Sequence, residues 1–340
     1  MSTILGNPIT LGGSGGNELI VTAPPGSTVT ATKGSITKTA TEKNGTWTFK
    51  GLEAGDWTVT AAKDSESVSS VVTVSAETAV LSFKPTVSLT AQSGVSYTNG
   101  ISGISAEKMS LYAELISNNA SITNETSVIY IDDGANHYKV SIGDQVTLAL
   151  NGTNYAFDVI GFNHDTLSTA SAYGANTATG KAGITFQMHD AFETLYKMNS
   201  RSTNSGGWKN SVMRTSTMAT MNAYLPTAWQ TVIKPVNKKS GIGGMSSTDT
   251  EIVSDSCFLL SEFEVFGSTP YSVSSEGTQY AYYKAGNSKV KIKKGGNACT
   301  WWERSPVYKS YESFCCITVG GNANRADATS SYGVAFGFCI

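Results

Sequence analysis

The sequence is short of charge. Only 15% of its 340 residues are Asp, Glu, Lys or Arg, and 24 basic against 26 acidic residues leave a formal net charge of −2. A chain that binds nucleic acid by neutralising phosphates needs a basic excess, so that class is excluded. A run of about 18 apolar residues is also missing, which excludes a membrane-spanning helix. Ala, Leu, Glu and Lys do not dominate, so a coiled coil or helical bundle is not expected. Cysteine is sparse and confined to the last quarter: Cys257, Cys299, Cys315, Cys316 and Cys339. The number is odd and no C-x-x-C occurs. His137, His164 and His189 lie far from every cysteine in sequence. Buried reduced thiols are therefore expected, with no metal site and no cofactor. The start of the chain, M-S-T-I-L-G-N-P, has neither a basic n-region nor an apolar h-region. Folding in a cytosol without disulfides is the corresponding expectation. The Asn-x-Ser/Thr sequons at Asn44, Asn119, Asn124 and Asn151 then read as chance.

What is abundant is glycine, at 34 residues, and Ser plus Thr, at 84. With 40% hydrophobic residues the chain can still bury real cores. That profile is a β-rich modular protein. Residues 1–16 join a small apolar patch (Ile4, Leu5, Ile9, Leu11) to the glycine stretch 12–16. They read either as an attachment peptide on a flexible linker or as a frayed terminus. Residues 17–84 alternate apolar residues with threonine in short strands about ten residues apart, the pattern of a β-sandwich. Asn44-Gly45 marks a hairpin, and Trp47 and Trp57 read as core. Residues 85–130 read as a connector holding one helix over 105–116. Ser105 is its N-cap, and Met109, Tyr112, Leu115 and Ile116 share a face. That face is free either for self-association or for docking on the following domain.

Residues 131–340 form the large domain. A hairpin over 138–150, Asn151-Gly152 and strands at 155–162 and 183–188 are followed by a long helix over 208–225, ended by Pro226. A second helix covers 227–233. Buried strand 258–261, the Trp301-Trp302 segment, Phe314 to Val319 and the tail from Gly333 complete an α+β domain.

Motifs in both domains carry resemblances. Residues 45–60 read G-T-W-T-F-K-G-L-E-A-G-D-W-T-V-T, which resembles carboxypeptidase-regulatory-like and PEGA-type immunoglobulin-like modules. The large domain reads W-K-N-S-V-M-R at 208–214, F-L-L-S-E-F-E-V at 258–265, Glu276-Gly277, W-W-E-R-S-P at 301–306 and G-V-A-F-G-F-C-I at 333–340. In that order these resemble the motifs of a domain of unknown function common in phage and prophage proteins of Gram-positive gut bacteria. Two departures stand out. Ala335-Phe336 replaces the usual Arg-Pro, and Glu303 replaces an apolar residue. The layout is also similar to the C-type-lectin-like fold shared by formylglycine-generating enzymes and phage receptor-binding variable proteins.

The resemblance implies a multidomain protein, an all-β Ig-like sandwich followed by an α+β C-type-lectin-like domain. It implies a non-enzymatic virion protein of tail-fibre or receptor-binding type, or a head fibre or capsid decoration protein with the same tip. Residues 1–16 would attach it to other virion proteins, the chain would form a trimer, and the tip would bind a host-surface glycan or protein. Trp208, Arg214, Trp301, Trp302 and Arg304 are expected as structural core, with Arg304 paired to Glu262 or Glu264 in preference to Glu303. The candidate ligand contacts are Tyr308, Lys309, Tyr311, Asn322, Asn324, Arg325, Asp327 and Tyr332, a mixture typical of adaptable binding loops. Nucleophile-elbow, P-loop and dinucleotide patterns are missing, and Gly241-Ile242-Gly243-Gly244 reads as a loop. Asp132-Asp133 lacks the EF-hand spacing. The enzymatic alternative is a formylglycine-generating type using Cys315 or Cys316. Adjacent strand residues face opposite ways, so one of the two is expected in the core and the other at the surface. A bacterial adhesin would need an export signal or wall anchor.

Overall fold

Period-2 alternation decides the N-terminal part. Along Gly55–Lys63, Trp57, Val59 and Ala61 are buried while Asp56 and Thr58 are exposed. Val29 and Ala31 in Thr28–Lys33, and Trp47 and Phe49 in Thr46–Phe49, repeat the pattern. Each strand therefore offers one apolar face, and two sheets bury those faces together. The computed structural model describes residues 9–12, 17–24, 26–43, 45–63, 66–83, 86–88, 90–132, 136–174, 176–245 and 248–340. One sheet runs, in spatial order, Ile9–Gly12, Ala79–Ser82, Leu19–Thr22, Thr46–Phe49 and Glu42–Lys43. The other runs Ile36–Thr39, Thr28–Lys33, Gly55–Lys63 and Glu66–Val74. The shared core spans Leu19 to Phe83.

Within the segment read as an attachment peptide, Ile9–Gly12 pairs antiparallel with Ala79–Ser82 at the edge of the sandwich. Residues 1–8 and 13–16 of that segment, and Asn44 of the hairpin, lie outside the described residues.

A second, separate core runs from Ile101 to Ile340. The helix Ala106–Ser117 starts where its cap predicts, with the Ser105 side chain accepting from the Lys108 N–H. Its docking settles the alternative left by the sequence. The Asn163 Nδ2 group donates to the carbonyls of Ile116, at 2.9 Å, and Ile122, at 2.8 Å, beyond the helix end. At Gly183 a Cβ atom would lie 2.0 Å from the Ala113 carbonyl oxygen, so only glycine lets the helix approach this closely. The segment read as a connector thus packs into the large core.

The main sheet of this unit orders Gln145–Leu150, Thr153–Phe162, Ile184–Met188, Gly337–Cys339 and Cys257–Phe258, all antiparallel. Beside it lie the pair Val236–Gly241 and Thr250–Asp255 and the sheet Trp301–Pro306, Ser313–Ile317 and Ala323–Asp327. The chain as a whole is mostly β, 39% strand and 14% helix in several small sheets.

Two expectations are corrected. Residues 208–225 are not one helix. Gly207–Asn210 ends at Ser211, whose ψ is 144°, and a π-turn Met213–Thr217 leads into Met218–Tyr224. Ser211 causes the break: its hydroxyl donates to the Trp208 carbonyl and accepts from the Arg214 N–H, competing with the helix ladder. Secondly, Cys315 and Cys316 are both fully buried, because this small sheet is covered on both faces.

Candidate functional site

The motif residues converge inside the large unit. Arg304 is fully buried. Its guanidinium grips Glu264 with two hydrogen bonds, 2.5 and 2.9 Å, and donates to the carbonyls of Leu259, Lys239 and Glu276. The pairing with Glu264 is one of the two expected. Glu264 also accepts from Lys238 Nζ at 2.9 Å, and Lys238 reaches Asp165 at 2.7 Å and the Tyr280 hydroxyl at 3.0 Å. Burial alone would raise both carboxyls. The Lys238 ammonium and His164 outweigh it at Asp165, and Arg304 and Lys238 outweigh it at Glu264, so both are held below the usual range. Breaking such a buried pair on one side costs about 3–5 kcal/mol.

Around this centre the other motif residues act as fasteners. Ser261 and Glu264 form a capping box that starts the short helix Glu262–Phe266. Gly277 sits at φ +120°, where a Cβ would fall 2.8 Å from Glu264 Oε1. Glu276 accepts from the Gly241 N–H at 2.6 Å and from the Ser305 hydroxyl. Burial raises the Glu276 carboxyl to about 7, against those two hydrogen bonds. Trp208 Nε1 and Arg214 Nε both donate to Asp255, each at 2.7 Å. Trp301 and Trp302 are fully buried, and their indole N–H groups donate to the carbonyls of Lys289 and Tyr196. Where the motif has Arg-Pro, Ala335 and Phe336 are buried, and Phe336 packs edge-on against Phe157 at 5.5 Å. These residues build the scaffold. A cleft of about 280 Å³ lined by His164, Lys181, Lys239 and Thr278 reaches down to Asp165 and Glu264, but both carboxylates are already neutralised.

The surface candidates divide. Tyr308, Lys309 and Tyr311 share the turn between Trp301–Pro306 and Ser313–Ile317. Tyr311 is 62% exposed. Lys309 takes the left-handed conformation at φ +58° and lies over the Tyr308 ring at 5.2 Å. The Tyr308 N–H donates to the Tyr271 carbonyl, and Arg325, exposed on the edge strand Ala323–Asp327, lies over the Tyr271 ring at 5.6 Å. Tyr271 thus links the turn to Arg325. Asn324 occupies the opposite face of the same strand from Arg325, and Asn322 closes the hairpin with Thr318 at the strand's far end. Asp327 is tied down by the hydroxyls of Ser202 and Thr329, which hold its carboxyl below the usual range. Tyr332 is half-buried, 4.9 Å from the Trp302 ring. The structure therefore brings together Tyr308, Lys309, Tyr311 and Arg325, leaves Asp327 on Arg325's face but held by Ser202 and Thr329, and sets Asn322, Asn324 and Tyr332 apart.

Two residues were missed from sequence. Tyr271 carried no pattern. Asn204 is fully buried and fastens the turn: its Nδ2 donates to the carbonyls of Ser310, at 3.0 Å, and Ser313, at 2.9 Å, and its own N–H to that of Tyr311 at 2.7 Å. It lies in the polar run 199–206, whose composition signals only a loop.

Burial pushes every thiol up: Cys257, Cys299, Cys315, Cys339, and Cys316 to about 12. Among the described residues, the side chains close enough to share a metal ion are Glu262, Glu303 and Cys315. A family described as Domain of unknown function (DUF6273) matches residues 182–340, which contain all five large-domain motifs. No curated protein and no solved structure matches the chain.

Proposed function

We propose that this chain is a non-enzymatic bacteriophage structural protein of tail-fibre or receptor-binding type. Its N-terminal sandwich is an Ig-like spacer. Its large unit is a C-type-lectin-like tip that recognises a host-surface polymer. The virion would carry it as a trimer, attached through its N-terminal residues. The observation that carries the reading is the surface strip in which exposed Lys309, Tyr311 and Arg325 flank half-buried Tyr271 and Tyr308, beside a turn fastened by buried Asn204. Rigid aromatic area beside fixed cations is suited to sugar faces and anionic polymer groups, since it loses little entropy on binding. The raised thiols add support, because a nucleophilic or oxidisable cysteine needs a low pKa and access to solvent.

The test is binding of the full chain to cell walls and purified wall polysaccharides from a panel of Gram-positive bacteria. Tyr311→Ala and Arg325→Ala should each weaken binding roughly 10–100-fold, as truncation of interface aromatic and arginine anchors does, with an unchanged melting temperature. Failure of the wild type to bind any wall, or wild-type binding by both variants, would overturn the reading.

A further inference from the structure

Beneath that strip lies a group of side chains whose chemistry the scaffold does not use. Glu303 is fully buried, and neither of its carboxyl oxygens has a hydrogen-bond partner. It cannot borrow Arg304: that guanidinium faces Glu264 and spends its remaining N–H groups on backbone carbonyls. Glu262 and Cys315 lie nearest to Glu303, with Glu276 a further carboxyl acting on it. Ligand atoms of Glu262, Glu303 and Cys315 all lie within 4.8 Å of one another. They come from three elements, the first turn of Glu262–Phe266 and the neighbouring strands Trp301–Pro306 and Ser313–Ile317. Two carboxyls and a thiol buried together, with one carboxyl wholly unsatisfied, carry a desolvation cost that either a retained proton or a bound cation relieves, and a retained proton still leaves the Glu303 oxygens without partners.

We propose that Glu262, Glu303 and Cys315 form a structural binding site for a divalent zinc ion. The donor set selects the metal. A thiolate with carboxylates suits zinc, whereas calcium and magnesium require six or more oxygens. Ligand atoms around tetrahedral zinc stand about 3.5 Å apart, given bonds of about 2.0–2.3 Å. The three residues need only close by side-chain adjustment. Both Glu303 oxygens are unpartnered, so a chelating Glu303 completes four-coordination without a further residue. Glu262 is already aimed: its carboxyl accepts from the N–H groups of Tyr271 and Ser272 and from the Ser272 hydroxyl at 2.7 Å. Outer contacts of this kind orient metal-ligating carboxylates. Binding displaces the Cys315 proton, and any carboxyl proton, to solvent. Through Glu262 the ion would fix the Tyr271 backbone, and through Cys315 the strand position paired with Arg325. The site stands whether or not the strip above it binds a wall polymer.

The experiment is elemental analysis and thermal unfolding of the purified full chain, refolded either with zinc or with a chelator. The wild type should carry about one zinc per chain and melt higher when refolded with zinc, as a ligand of the native state requires. Glu303→Leu, which restores the apolar residue of the related motif, should fold, carry no zinc and melt identically in both conditions. Cys315→Ser should bind zinc at least roughly tenfold more weakly. Cobalt substituted into the wild type should give a thiolate charge-transfer band that is missing in Cys315→Ser. A metal-free wild type whose melting temperature is the same with zinc and with chelator would overturn the site, as would undiminished zinc in Glu303→Leu.

Discussion

At the scale of single residues, Glu276 shows how burial sets a property that composition does not suggest. Its carboxyl rises from an ordinary 4.5 to about 7 because burial outweighs the hydrogen bonds from Ser305 and Gly241. A carboxyl whose folded value lies above its unfolded value binds protons more tightly in the native state. Its contribution to stability is complete below about 4.5 and is lost as pH rises through about 7. The loss is of order 3 kcal/mol for a shift of this size at a fully buried site. Glu276→Gln keeps an acceptor for the Gly241 N–H and removes the titration. Its stability relative to wild type should therefore rise between pH 5 and pH 8, measured by calorimetric melting at the two values. A parallel fall of both proteins across that range would show that Glu276 does not titrate there. The glutamate itself was legible only as half of a Glu-Gly motif. Its partners Ser305 and Gly241 lie 29 and 35 residues away, too far for any local pattern to announce them.

Among elements, the helix Ala106–Ser117 was readable from its cap and its apolar face, but its destination was not. Periodicity reports which side is apolar and says nothing of what covers it. The answer lay at Gly183, some 70 residues on in the chain, where the missing Cβ admits the Ala113 backbone. Gly183→Ala should destabilise the large unit by about 1–3 kcal/mol or more through overpacking, seen as a lower denaturation midpoint in urea with little change in slope. An unchanged midpoint would mean the helix is not seated there. The segment 208–225 teaches the converse. Its methionines have helical spacing, yet Ser211 diverts the backbone with its own hydroxyl, and one side chain overrides the average of its neighbours. The two-sided burial of Cys315 and Cys316 was out of reach for a related reason. Alternation separates the faces of a strand, but only the packing around a sheet says whether both faces are covered.

Taken whole, the described residues hold two hydrophobic cores with no residue in common, one from Leu19 to Phe83 and one from Ile101 to Ile340. As separate clusters, each is expected to unfold cooperatively by itself. Scanning calorimetry of the full chain should resolve two transitions, and Gly183→Ala should lower only one. A single transition shifted as a unit would show that the cores are coupled. The strip proposed for recognition sits beside a turn fastened from below by Asn204, the placement a rigid adhesive unit would need.

The sequence by itself determined the β-rich character, the alternating strands of the sandwich, the cap at Ser105, the turn at Asn151-Gly152 and the burial of Trp208, Trp301, Trp302 and Arg304. All but the burial of Arg304, which only the motif resemblance implied, follow from interactions between residues a few positions apart or from the cost of exposing large apolar groups. Only the tertiary structure decided that Arg304 meets Glu264, that Lys238 meets Asp165, that Tyr271 joins Arg325, and that Glu262, Glu303 and Cys315 converge. Those pairings depend on where strands distant in the chain cross. The free energy that selects a crossing is spread over a whole core and is encoded in no single segment.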